Sequence, residues 1–184
     1  MRLLVCWLSV GSVLAHAEGV VVDRIAAVVD LHAITRSAVE DRARPLLAVA
    51  KTEAQKAQVR RDVIIELIED ALILKESRRL RIEIREEEVD AALLEVARQN
   101  SLTLAELSAE TQRQGMDVHV YRALLRRKLL ELKWLNIRAN RVAQPTDDAE
   151  RGAFLASERV RLMQELRAGA VIEVRSPRAE SRGP

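Results

Sequence analysis

Apolar positions recur at helical spacing along most of this chain and at strand spacing only near its two ends. Val20 to Val29, "VVVDRIAAVV", is β-branched, bounded by polar residues, and reads as a strand. Asp30-Leu31-His32 turns it back, and Ala33-Ile34-Thr35 is a short return strand. Thr35 or Ser37 then opens a helix, with Ser37 and Glu40 spaced as a capping box. This helix runs to about Ala50 and accommodates Pro45 only with a kink or an early stop.

Thr52 and Gln55 form a second capping box, opening the strongest helical pattern, which continues to about Arg79. Val59, Val63, Leu67, Ala71 and Leu74 lie on one face, and Ile64, Ile68 and Leu72 widen it, as expected of a central, largely buried helix. A further helix spans about Glu86 to Gln99, with Val89, Leu93, Val96 and Ala97 inward and Asn100 at its end. Thr103 with Glu106 caps a short helix closed by Gly115, and Asp117 caps a long one to about Val142. On that long helix Tyr121, Leu124, Leu125, Leu132 and Leu135 are expected to face the core, and Gln144-Pro145 breaks it.

The last helix, Thr146 to Ala168, stops at Gly169, and Ala170 to Val174 follows as a strand. A lone strand cannot satisfy its own backbone groups, so it needs a partner. The best one is Val20 to Val29. The fold class is therefore mainly α, with a small sheet formed by the N-terminal hairpin and the C-terminal strand.

The first residues change the picture of where the chain works. Met1-Arg2, the apolar run Leu3 to Leu14 and Ala15-His16-Ala17 read as a secretory signal peptide, with cleavage near Ala17. Cys6, the single cysteine, would leave with it, so neither a disulfide framework nor a cysteine metal site is expected. No second long apolar run follows, and the mature chain is expected to be soluble. Without Arg2, 29 basic residues face 28 acidic ones, and their signs alternate along the helices, as in "REEEVD" from Arg85 to Asp90. That is no nucleic-acid footprint. Only 176–184, within the biased "RSPRAESRGP", is expected to be a disordered tail. Tyr121, Trp134 and Phe154 are the aromatics beyond the signal, so the core must be chiefly aliphatic.

Candidate chemistry is sparse. His32 and His119 sit at no ligand spacing from another histidine or cysteine, and a structural or surface role is expected for both. Neither a P-loop nor a dinucleotide fingerprint occurs, so an ATP-driven mechanism is not expected. Glu69-Asp70 and Glu86 to Glu88 are adjacent on helices and point different ways, which suits surface and capping roles better than acid-base pairing. No catalytic, cofactor-binding or metal-binding residue is assigned, and no cofactor is expected.

Four stretches resemble the SurA family of periplasmic chaperones. They are "VVDRIAAVVD" with "ITRSAV"; "LIEDALIL" leading to "RLRIEIREEEVDAALLEVARQNSLTLAEL"; Gly115 with "YRALLRRKLL"; and "MQELRAGAVIEV" near the end. In that family the last stretch is a helix and strand that return to the N-terminal domain after one or two parvulin-type prolyl isomerase domains. Here only "AQPTDDAERGA" intervenes, whereas an isomerase needs on the order of 100 residues. The resemblance therefore implies a chaperone core and leaves no room there for the enzyme.

The domain organisation expected is a signal peptide at 1–17 and a SurA-like core at 18–175, composed of a module at 18–144 and a helix and strand at 146–175. The function expected is that of an exported, ATP-independent chaperone. Its partners would be unfolded outer-membrane or secreted polypeptides held in an apolar groove, with a homodimer or a separate isomerase partner as further alternatives. The rival is a non-catalytic structural or adaptor subunit of a periplasmic folding complex. Leu46, Leu47, Leu104, Leu107 and Met116 are apolar positions left over once each helix has a core face, but core packing explains each of them as readily. The client-binding residues are thus unknown from sequence.

Overall fold

The computed structural model describes residues 23–142, 145 and 147–175, apart from the side chains of residues 148 and 149. The expected signal peptide, the start of the first strand at 20–22, the cap at 146 and the tail 176–184 lie outside these residues. The elements run β1 (Ile25–Val29), β2 (His32–Thr35), α1 (Arg36–Val49), α2 (Glu53–Arg79), α3 (Glu86–Gln99), α4 (Leu104–Arg113), α5 (Val118–Ala139), α6 (Asp148–Ala168) and β3 (Ile172–Val174). Among the described residues no helix is long and apolar enough to cross a membrane.

Most helix starts follow the local chemistry. Thr52 with Gln55 and Thr103 with Glu106 form complete capping boxes, and the Asp117 carboxylate accepts from the His119 N–H at 2.7 Å. Gly115, at φ 76, takes the left-handed conformation that turns the chain between α4 and α5.

At the start of α1 one of the two expected caps forms. Thr35, not Ser37, is its N-cap and accepts from the Ala38 N–H at 3.3 Å. Ser37 instead donates its N–H (3.3 Å) and its hydroxyl to the Asp23 carboxylate. Asp23 and Arg24 precede the ladder, which begins only at Ile25. Pro45 neither stops α1 nor ends it early, and the helix continues to Val49. Pro45 and Asp41, whose carbonyl loses its helical donor there, both face solvent, where water can serve the freed carbonyl.

The sheet has the order β2-β1-β3 and is antiparallel throughout. Val29 pairs with Ile172, Val28 with Glu173 and Ala27 with Val174, so the late strand finds the N-terminal strand as its partner. The ladder is extended by Arg175 N–H donating to the Ala26 carbonyl at 2.8 Å.

Two apolar clusters share α5. The larger gathers the sheet, α1, α2, the last turns of α5, and α6, with Trp134, Leu72, Leu162 and Val63 at its centre. The smaller joins α3 and α4, through Val89, Leu93, Ala97 and Leu107, to Tyr121, Leu125 and Leu129 of α5. Because α5 serves first one cluster and then the other, its inward face rotates along its length. Leu132, expected inside, is 55% exposed, whereas Trp134 is fully buried.

Candidate functional site

A cavity of about 380 Å³ opens between β2, α2 and α5. Its apolar lining comes from Ile34 on β2, Ala38 on α1, Leu67, Ala71 and Leu74 on α2, and Leu130 on α5. Leu67, Ala71 and Leu74 are spaced i, i+4, i+7, so one stripe of α2 faces the cavity. The adjoining stripe, Ile68 and Leu72, enters the core. Ala71 is small, which helps keep the space open.

Charge in the cavity is matched internally. Asp70 accepts from Arg42 at 2.7 Å and lies 3.6 Å from Arg127, while Arg42 also pairs with Glu66 at 3.2 Å. Burial pushes the Asp70 carboxyl above the usual carboxylate range despite Arg127 and Arg42. Burial, with repulsion from Arg42, lowers the Arg127 guanidinium. At the cavity edge, burial raises the Glu131 carboxyl, but hydrogen bonds from Arg159 (2.6 Å) and Lys128 (3.2 Å) outweigh it and leave it below the ordinary value.

A second ionic network clips α6 onto α2 and α5. Glu69 receives Arg159 at 2.9 Å and Arg167 at 3.0 Å, and Arg138 bridges Glu76 (2.9 Å) and Glu165 (2.7 Å). These pairs position α6, and through it β3, against the rest of the fold.

The polar groups around the cavity do not form a nucleophile-base pair. The Thr35 hydroxyl is engaged with the Ala38 N–H and the Ser37 hydroxyl. His32 lines the cavity on the exposed turn side of β2, and His119 is exposed at the start of α5. Among the described residues no group of three or more His, Cys, Asp or Glu side chains is arranged to hold a metal ion.

None of the leftover apolar positions lines this cavity. Leu46 and Leu104 are about half exposed on separate helices, Leu107 is buried in the smaller cluster, Leu47 packs against the larger one, and Met116 is half-buried. Periodicity places the residues that do line it, Leu67, Ala71 and Leu74, on the core face of α2. The signal that could have found them is the excess width of that apolar stripe.

The model of the SurA N-terminal domain matches residues 22–134, which include the whole cavity lining. The chain belongs to the SurA N-terminal domain family. Curated relatives called Chaperone SurA come from Pectobacterium atrosepticum (29% identical over 137 residues), Sodalis glossinidius (33% over 124) and Escherichia coli (27% over 114). The alignments cover 70%, 63% and 60% of this chain, respectively, but only 31%, 28% and 27% of those proteins. The chain thus spans less than a third of the length of the curated SurA relatives it matches. A solved structure of a SurA-like chaperone from Campylobacter jejuni is 20% identical, with a TM-score of 0.49, covering 74% of this chain and 50% of that one.

Proposed function

We propose that this chain is an exported, ATP-independent chaperone core that acts in the periplasm after losing residues 1–17. It holds unfolded outer-membrane or secreted polypeptides in the groove between β2, α2 and α5, and so assists their folding and assembly.

The observation that carries this reading is a solvent-open apolar groove in a SurA N-terminal-family chain, with its charges neutralised from within. Unfolded clients expose apolar side chains, and such a groove hides them reversibly. Weak contacts release the client by mass action, with no need for nucleotide. The reading is non-enzymatic, since α5 and α6 are joined by Asn140 to Asp147 alone, far too little chain for an isomerase domain at that point.

The test is light scattering of an unfolded outer-membrane protein diluted from denaturant into the purified mature chain. Stoichiometric chain is expected to suppress aggregation. Unchanged aggregation would remove the chaperone reading and leave that of an adaptor subunit.

A further inference from the structure

The groove runs along an open edge of the sheet. In the order β2-β1-β3, β2 has a single neighbour among the described residues. His32, Ala33, Ile34 and Thr35 all line the cavity. Successive strand residues point to opposite faces, so a cavity touched by four in a row lies along the edge of β2 and not over one face.

The register says which backbone groups meet it. Asp30-Leu31 is the two-residue loop of the hairpin, Val29 pairs with His32, and Val28 pairs with Ala33. The residues flanking such a loop exchange backbone hydrogen bonds and the next pair does not, so Ala33 directs its N–H and C=O away from β1. Across the groove from this edge stand Leu67, Ala71 and Leu74 of α2 and Leu130 of α5.

We propose that the occupant of the groove is an extended polypeptide segment that joins the sheet as a fourth strand. It pairs its backbone with β2 at Ala33 and lays alternate apolar side chains against α2 and α5. This rests on the chaperone reading above and names how the client is held. An outward N–H and C=O on a strand edge are complementary to another extended backbone, whatever its sequence. Asp70 and Arg127 neutralise each other in the floor, so the groove suits uncharged side chains.

A second copy of this chain fits the edge poorly. The strand has 4 residues, with a turn before it and α1 starting at Arg36 after it. So short an edge offers a folded copy little backbone to pair with, whereas a stable interface needs roughly 1,200 Å². A single extended chain needs no such area to enter.

The probe is an end-capped, fluorescein-labelled heptapeptide of alternating threonine and valine, titrated into the mature chain by fluorescence anisotropy. Two analogues carry N-methyl groups on alternate amides, one set on each edge of the peptide strand. Strand addition predicts that one analogue loses affinity severalfold, as for the lost hydrogen bond to the Ala33 carbonyl, while the other keeps the parent's affinity. Ala33→Pro removes the outward N–H without touching the ladder, and is expected to weaken binding of the parent peptide. If that variant fails to fold, the analogues on the unaltered chain still decide.

Equal loss or equal retention in the two analogues would overturn strand addition. So would a dimer, seen by sedimentation, that Ala33→Pro abolishes. A chain that suppresses aggregation but does not bind the heptapeptide overturns the edge proposal and leaves the chaperone reading standing. Failure of both assays overturns both.

Discussion

Asp30 and Val171 hold each other by two hydrogen bonds: the Asp30 N–H donates to the Val171 carbonyl at 2.8 Å, and the Val171 N–H donates to the Asp30 carboxylate at 3.0 Å. The other carboxylate oxygen accepts from Lys75 of α2 at 2.6 Å. One residue in a tight turn, at φ 53, thereby joins the hairpin, the returning strand and the central helix.

Asp30→Ala is therefore expected to lower the melting temperature and to speed hydrogen exchange at β3 more than in the rest of the sheet. Hydrogen bonding from Lys75, then from the Val171 N–H, holds the Asp30 carboxyl below its ordinary value of 3.8. A carboxylate with a depressed folded value contributes stability above its unfolded value, and that contribution is lost as pH falls through the folded one. Thermal unfolding at pH 7 and near pH 2 checks this. The two melting temperatures should differ at pH 7 and converge in acid.

Glu88 offers a second titration. Lys133 donates to it at 2.8 Å and the Arg85 N–H at 2.9 Å, and together they lower its carboxyl to about 2. The contact ties the start of α3 to α5. Its contribution is complete above the unfolded carboxylate value of 4.5 and disappears as pH falls through about 2. Carboxyl-carbon chemical shifts followed by NMR should place the Glu88 midpoint near 2. A midpoint near 4.5 would mean that Lys133 does not engage it in solution.

Trp134 is fully buried, and its Nε1–H has no hydrogen-bond partner among the described residues. Trp134→Ala is expected to cost about 3–5 kcal/mol in urea unfolding, from lost burial and the cavity left behind. Trp134→Phe should cost distinctly less, since it keeps most of the ring volume and removes an unpaired donor, a burden of about 1–3 kcal/mol. Equal costs for the two variants would contradict both the tight packing of the ring and the unpaired donor.

Ala71 keeps the groove open at its centre. Ala71→Leu adds a side chain on a helix that accepts leucine well and fills part of a cavity of about 380 Å³. The melting temperature is expected to hold while aggregation suppression falls. Full suppression by a stably folded Ala71→Leu would move client binding away from this groove.

The elements are legible from the chain alone, because their signals are local. A Thr52-Gln55 or Thr103-Glu106 cap is complete within one helical turn, and Gly115 turns the chain through its own φ. The pairing of β3 with β1 was also legible, since an orphan strand must find a partner and one β-branched run was available. Tertiary structure decided what depends on neighbours far along the chain. Thr35 caps α1 because Asp23 draws Ser37 away, and Trp134 replaces Leu132 inside because α5 passes from one cluster to another. The groove was decided there too. Periodicity assigns Leu67, Ala71 and Leu74 to an apolar face, but only the placement of β2 and α5 around α2 leaves part of that face open to solvent.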